Sequence, residues 1–138
     1  MGRILAIDYG QKRTGLAVTD PLRITANPLL TIETASLRNW LTAELAKGEI
    51  DTVVIGKPTQ LNGIESDSMR YIRPFVEWFR QQFPATPLAE YDERFTSTLA
   101  HRAMIDGGMK KSQRRDKAVV DKLAACIILE DYLAAHQL

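Results

Sequence analysis

Residues 3–19 read RILAIDYGQKRTGLAVT, in which two apolar runs flank a short polar segment. The first run, residues 3–8, is typical of a buried strand, and it ends on an acid, Asp8. The polar residues 9–13 predict a turn, and residues 14–19 predict a second strand. Because the connection is so short, the two strands are expected to pair antiparallel. This hairpin therefore places a carboxylate at the end of a buried strand.

The rest of the chain extends the hairpin into a larger sheet. A third strand around Thr25–Ile32 contains Pro28, which indicates an edge strand or a bulge. Helical spacing, capping residues and short apolar runs predict the elements that follow. In chain order they are a helix over 36–47 with Ser36 as N-cap and Gly48 as stop, a strand over 52–56, a helix over 66–82, a strand over 87–92, a helix from Thr96 or Ser97 to Ile105, and a helix over 116–135.

The order of these elements indicates the fold class. Three successive strands predict an antiparallel meander, and the later strands, which are joined through helices, predict parallel crossovers. A mixed five-stranded sheet of this order, flanked by helices, is that of a ribonuclease H-like α/β fold. We expect one such domain over residues 1–138, because the chain has the length of a single domain and contains no repeat or linker.

The composition is that of an ordinary globular protein, with 45% hydrophobic and 25% charged residues. No apolar run is long enough to cross a membrane, and the first one carries Asp8, so we expect neither a membrane span nor a signal peptide. The one cysteine, Cys126, lies in an apolar helical segment. A buried, inert thiol and a reducing cytoplasmic location are therefore expected.

Positive charge is concentrated in one segment, although the net charge is only +1. Residues 110–117 read KKSQRRDK, with five cations and one anion. Like charges repel unless a polyanion lies opposite, so this basic loop is expected to bind nucleic-acid phosphates. A merely solvated loop is the alternative. The cations of the loop are Lys110, Lys111, Arg114, Arg115 and Lys117.

Acidic residues follow two of the predicted parallel strands. Asp8 ends the first strand, and the pair Asp92-Glu93 ends the last. Ligands of open α/β sheets bind beyond the carboxyl ends of the strands, so these acids are candidates for chemistry. The alternative is structural, because Asp is also common in turns.

A third acid, Asp121, lies within the last predicted helix. Its helical face also carries a set of mostly apolar residues, namely Ala118, Ala124, Ala125, Ile128 and Tyr132. A carboxylate on a face that contacts the sheet requires a cation or strong hydrogen-bond donors. One interpretation is a metal site. The other is an ion pair with a cationic side chain, for which the candidates are Lys12, Arg13 and Arg94.

Three carboxylates at one sheet edge, without a His or Cys cluster, form a hard-oxygen site. Such a site suits Mg²⁺ or Mn²⁺ rather than zinc. Two such ions about 4 Å apart activate a water on one side of a phosphodiester and stabilise the leaving oxygen on the other. The predicted activity is hydrolysis of a nucleic-acid backbone.

The sequence also resembles the YqgF (RuvX) family over nearly its whole length. The matching segments are IDYGQKRTGLAV at 7–18, Gly56-Lys57-Pro58 with Gly63, DERFTS at 92–97, and Lys117 to Leu129 around Asp121. The resemblance implies a RuvC-type, ribonuclease H-like fold and a nuclease that trims the 5′ end of pre-16S ribosomal RNA; older descriptions of the family name a Holliday junction resolvase. It also implies that Asp8, Glu93 and Asp121 are the catalytic, metal-binding acids.

Several cations near these acids are candidates for nucleic-acid binding. Lys12 and Arg13 in the first turn are expected to hold the scissile phosphate, or else to be solvated. Arg94 is expected to contact a phosphate or to form a salt bridge with an acid. The predicted partners are pre-ribosomal RNA or branched DNA, and ribosomal precursor particles, for a monomer or weak dimer.

Two other functions remain open at the level of sequence. The segment Asp8-Tyr9-Gly10 with Gly15 also resembles the first phosphate loop of sugar kinases and actin-like ATPases. Those proteins bind ATP between two duplicated domains, and 138 residues supply only one. The other alternative is a non-catalytic nucleic-acid or ribosome-assembly module that retains the fold.

Overall fold

A computed structural model describes residues 2–57, 69–92 and 117–136. Its elements follow the predicted order, with bounds that differ from the predicted ones by a few residues at most. They are β1 (Arg3–Asp8), β2 (Arg13–Thr19), β3 (Ala26–Glu33), a 3-10 turn (Thr34–Ser36), α1 (Leu37–Ala46), β4 (Ile50–Lys57), α2 (Met69–Gln82), β5 (Leu88–Asp92) and α3 (Lys117–His136). The helix predicted from Thr96 or Ser97 to Ile105 lies outside the described residues.

The five strands form one mixed sheet in the order β3-β2-β1-β4-β5. β1 pairs antiparallel with β2, and β2 with β3, whereas β4 lies parallel to both β1 and β5. The predicted meander and the predicted parallel crossovers are therefore both confirmed. Within the described residues, no helix is long and apolar enough to cross a membrane.

Each face of the sheet carries its own hydrophobic core, because alternate residues of a strand point to opposite faces. Leu5 and Ile7 of β1 belong to the core beneath α1 and α2. Ile4 and Ala6 belong to the core beneath α3. By the same alternation, Asp8 belongs to the α3 face.

β3 is an edge strand with a bulge, as Pro28 predicts. Leu16 is paired with Leu30 and Ala17 with Pro28, so Leu29 is an extra residue on β3. The proline thus sits where its missing N–H removes no ladder hydrogen bond from a central strand.

The three described helices begin at the edge where β1 ends, which we call the carboxyl edge of the sheet. α1 follows the turn at Thr34, whose hydroxyl is bonded to Gly10 O. α2 connects the parallel strands β4 and β5, so it must start where β4 ends. Gly48, with φ of +77°, ends α1 as predicted. Ser36 occupies the N-cap position of α1, but its hydroxyl makes no capping hydrogen bond.

Candidate metal and nucleic-acid site

Asp8 lies at the carboxyl end of β1, the central strand of the sheet. Its Cα is paired with Gly15 of β2. The side chain is only partly exposed to solvent. Among the residues that the structure describes, no donor is hydrogen-bonded to its carboxylate. This acid therefore has little compensation for the water that it has lost.

Gly15 brings the second acid to this position. A Cβ at residue 15 would lie 2.0 Å from the backbone oxygen of Asp121 and 2.3 Å from its carbonyl carbon. Only glycine permits this close approach, so its missing side chain allows the second turn of α3 to rest directly on β2. Because Gly15 is also the partner of Asp8, the same contact sets the two carboxylates side by side.

The two acids interact electrostatically, and this interaction contributes to a raised pKa of Asp8. Desolvation at the strand end raises the pKa of Asp8 from 3.8 to about 7, and the negative charge of Asp121 contributes to the increase. The negative charge that increases the affinity of this pair for a proton also increases its affinity for a metal cation. The site therefore attracts positive charge.

Asp121 forms an ion pair with Arg13. Its Oδ2 accepts a hydrogen bond of 3.1 Å from Arg13 Nε. Of the two candidate partners that the structure describes, Lys12 and Arg13, Arg13 forms the ion pair. The helix face of Asp121 is apolar as predicted, with Ala124 and Ile128 buried. The acid itself is less buried than this pattern implies, with a side-chain exposure of 25%, because it lies near the sheet edge.

The turn between β1 and β2 is held by a residue that the sequence did not single out. Thr34 donates its hydroxyl to Gly10 O at 2.6 Å and its N–H to Lys12 O at 3.0 Å. Its hydroxyl also lies 2.9 Å from the hydroxyl of Thr14. These bonds fix the turn that carries Lys12 and Arg13. No local signal in the sequence identifies this role, since the partners lie at least 20 residues away.

Lys12 is exposed at the tip of this turn, and Arg13 is partly exposed, with a side-chain exposure of 40%. Arg13 contacts Asp121, and Lys12 precedes Arg13 in the same turn. The remaining predicted site residues are not described. Glu93, Arg94, Lys110, Lys111, Arg114 and Arg115 lie outside the described residues, and Lys117 is the first residue of α3, with a side chain that is likewise not described.

β5 places Ala89 and Tyr91 in the core beneath α3, on the face of the sheet that carries Asp8. The predicted third acid, Glu93, follows this strand in sequence. In the described ranges 2–57, 69–92 and 117–136, no group of three His, Cys, Asp or Glu side chains is close enough to hold a metal. Two of the three predicted acids, Asp8 and Asp121, are described, and they interact electrostatically.

The side chains predicted to have no role in chemistry are placed as expected. Phe75 and Phe79 are buried, and Trp40 and Trp78 are partly buried against the same core. Cys126 is buried, and desolvation together with the charge of Glu130 raises the pKa of its thiol to about 11.

This sheet order, with paired acids at the end of its central strand and on its last helix, defines a ribonuclease H-like protein of the RuvC type. Two solved structures share the fold. One is RuvC of T. thermophilus in complex with a Holliday junction substrate, 16% identical, with a TM-score of 0.60 over 99% of this chain and 98% of that chain. The other is the Holliday junction resolvase of fowlpox virus, 14% identical, with a TM-score of 0.56 over 96% of this chain and 99% of that chain.

The chain belongs to the RuvX family, whose model, described as "Holliday junction resolvase", matches residues 2–135. Three similar proteins carry the name "Putative pre-16S rRNA nuclease". That of Phocaeicola vulgatus is 51% identical over 99% of both chains, and that of Bacteroides thetaiotaomicron is 48% identical over 99% of both. That of Porphyromonas gingivalis is 50% identical over 96% of both. The family that the sequence motifs resemble is thereby confirmed.

Proposed function

We propose that this chain is a single-domain nuclease that hydrolyses phosphodiester bonds during 5′-end maturation of pre-16S ribosomal RNA in the cytoplasm. The observation that carries the proposal is the placement of Asp8 beside Asp121 at the carboxyl edge of the sheet. The names of relatives that are about half identical over almost their whole length support the RNA substrate. Pre-ribosomal particles are the proposed partners, for a monomer or weak dimer.

The described residues fit a divalent cation. Two adjacent carboxylates, one of which favours protonation at neutral pH, provide the hard oxygen donors that Mg²⁺ and Mn²⁺ prefer. Asp8 and Asp121, with Glu93, would hold the metal, and we propose two ions. When bound, these ions would supply Lewis acidity toward water and the phosphate.

Arg13 serves two purposes in this proposal. Its Nε–H holds the carboxylate of Asp121, which fixes the orientation of that acid. The Nε bond leaves the two terminal nitrogens of the guanidinium for a phosphate, since Arg presents five donors in a planar fork. The ion pair and the phosphate contact, which are alternatives at the level of sequence, are therefore compatible.

Lys12 supplies a second cation to the same phosphate or to its neighbour. Its backbone is fixed through Thr34, while its side chain is exposed. A strand held by these two cations would lie with a phosphodiester bond over the carboxylates. Because the negative charge of a phosphate adds to that of the acids, binding and metal loading should support each other.

The test is cleavage of labelled pre-16S RNA and of a labelled four-way DNA junction by the purified protein with Mg²⁺ or Mn²⁺. We expect cleavage of the RNA, and loss of cleavage in the variants Asp8→Asn and Asp121→Asn. The control Asp51→Asn removes an acid from the opposite edge of the sheet and should retain activity. Glu93→Gln should abolish cleavage, whereas Asp92→Asn should reduce it less.

The family description, "Holliday junction resolvase", and the likeness to RuvC favour a junction as the second candidate substrate. Cleavage of the junction without cleavage of the RNA would replace the proposed substrate. Tight binding without cleavage of either would indicate a non-catalytic assembly module. Binding of ATP by calorimetry, without nucleic-acid cleavage, would support the ATPase alternative instead.

A further inference from the structure

α1 carries a cation, Arg38, in its first turn, at the carboxyl edge of the sheet. That first turn contains no acid. The N-terminal end of a helix is already partly positive, so a cation is disfavoured there and an acid is preferred. The arrangement raises the positive potential at the edge where Asp8 lies, a placement that suits a polyanion.

Arg38 lies beside the site but on the opposite face of the sheet. The residue after Asp8 is Tyr9, and its side chain belongs to the core beneath α1 and α2. The Tyr9 ring contacts Phe75, and Arg38 lies over the neighbouring Trp78 ring. Arg38 is therefore close to the residue that follows the metal-binding acid.

The side chain of Arg38 is ordered by an aromatic ring. Its guanidinium carbon lies 5.0 Å from the centre of the Trp78 ring, a cation–π contact. The Trp78 ring contacts Phe75, which in turn contacts Tyr9 with ring centres 4.9 Å apart. Tyr9 and Trp78 remain partly exposed, and Arg38 is exposed. A stacked cation thus lies next to two accessible aromatic rings.

Arg38 forms no ion pair with any carboxylate in the part of the chain that the structure describes. The other end of the same helix provides a contrast. Lys47, which follows α1 at the opposite edge of the sheet, is bonded to Glu44 at 2.8 Å. A stacked guanidinium without an ion-pair partner among the described residues is suited to a phosphate oxygen.

We infer that Arg38 binds a backbone phosphate of a single-stranded flank of the substrate, which passes from the Asp8–Asp121 site across the sheet edge onto the face of α1 and α2. Tyr9 provides an aromatic surface for an unpaired base of that flank, as such rings do in single-strand binding. Arg70 of the neighbouring helix lies on the same face of the sheet and extends the positive surface. This inference rests on the proposed nuclease function, because it assigns a path to the substrate of that site.

The test compares Arg38→Gln with Lys47→Gln, which removes the same charge from the opposite end of the same helix. Both variants, in the Asp8→Asn background to prevent cleavage, are titrated with labelled pre-16S RNA at several salt concentrations. We expect Arg38→Gln to weaken binding about five- to tenfold and to reduce the salt slope by about 0.7, the value for one single-strand phosphate contact. Lys47→Gln should change neither quantity, and Arg38→Lys should recover most of the affinity.

The length of the flank provides a second arm. With an RNA shortened on the flanking side until it no longer reaches past the cleavage site, Arg38→Gln and the parent should bind equally. An unchanged salt slope in Arg38→Gln, or an equal loss with Lys47→Gln, would overturn the inference. So would a lower melting temperature with normal RNA affinity, since that result identifies Arg38 as a purely structural partner of Trp78.

This outcome is separable from failure of the proposed function. If Asp8→Asn and Asp121→Asn abolish cleavage while Arg38→Gln binds normally, the nuclease proposal stands and the path of the flank is wrong. If the parent cuts no nucleic acid but Arg38→Gln still reduces binding and its salt slope, the surface binds RNA and the nuclease proposal fails.

Discussion

Replacing Asp8 by Asn should stabilise the metal-free protein in a pH-dependent manner. In the folded chain the pKa of Asp8 is about 7, whereas an unfolded chain has the ordinary value of 3.8. The folded state therefore binds this proton more tightly than the unfolded state. By linkage, the free energy of unfolding of the parent falls as the pH rises from about 4 to about 7, and it stays low above that range.

The magnitude follows from the difference between the two pKa values. About three pKa units at 1.36 kcal/mol each give an upper limit of about 4 kcal/mol at pH 8. Because Asp8 is only partly buried, solvent screening reduces this difference, and we expect Asp8→Asn to raise the free energy of unfolding by about 2 kcal/mol at pH 8. For a domain of this size, that gain raises the melting temperature of Asp8→Asn by about 6–10 °C.

The assay is thermal unfolding followed by circular dichroism at pH 5, 6, 7 and 8 in the presence of a chelator. The difference between Asp8→Asn and the parent should be small at pH 5 and largest at pH 8. Added Mn²⁺ should raise the melting temperature of the parent and have little effect on the variant, since ligand binding stabilises only the protein that holds it.

Asp20→Asn serves as a control for which the expected change in stability has the opposite sign. The carboxylate of Asp20 accepts hydrogen bonds from the N–H groups of Ile24 and Thr25, which lower its pKa. Its contribution to stability is therefore present above the ordinary pKa and lost at lower pH, so Asp20→Asn should destabilise the protein at neutral pH. If Asp8→Asn instead lowers the melting temperature equally at every pH, Asp8 is a structural residue and the charge-repulsion argument is refuted.

Three further predictions concern packing, reactivity and binding. Gly15→Ala should lower stability by several kcal/mol and reduce metal affinity, because its Cβ would meet the backbone of Asp121. Gly48→Ala should lower stability by only about 1 kcal/mol, because Gly48 has open space around it and only its φ of +77° opposes a side chain. Denaturant titration of the two variants compares these losses. Cys126 should resist alkylation at pH 8 until the protein unfolds, since burial keeps its thiol protonated; rapid labelling of the folded protein would contradict this. Neutralising the basic loop should weaken RNA binding and flatten its salt dependence. Single-turnover cleavage at saturating RNA should stay within a few-fold of the parent rate. An unchanged slope of affinity against salt concentration would show that the loop is merely solvated. The residues neutralised are Lys110, Lys111, Arg114, Arg115 and Lys117.

The strands and helices were predictable because their signals are local. The apolar runs of β1 and β4 are buried on both faces, and the spacing of the α2 core residues is strictly helical. Pro28 predicted an edge position or a bulge for β3, and the strand has both. The hydroxyl of Ser36 did not cap its helix, because Ser36 ends a 3-10 turn and has a helical backbone conformation, whereas a capping residue is usually extended.

The candidate site was predictable only in part, because its contacts join distant parts of the chain. The acid of β1 and its position at a strand end follow from pattern alone. The choice of Arg13 over Lys12 as partner of Asp121 depends on side-chain geometry that the sequence does not encode locally. The roles of Thr34 and Arg38 depend on a sheet edge that exists only after β1, β3 and α1 have assembled.

The contact between Gly15 and Asp121 also determines at which point of synthesis Asp121 can reach β2. Arg13 and Asp121 are 108 residues apart, so their pairing has the high sequence separation that delays folding. A nascent chain that has emerged only as far as β5 already contains Asp8 but lacks α3, which forms the cover over one whole face of the sheet. Because domains fold as units once their last element is available, the second carboxylate reaches the first only after α3 leaves the ribosome. The incomplete polypeptide therefore lacks the paired acids of the proposed site.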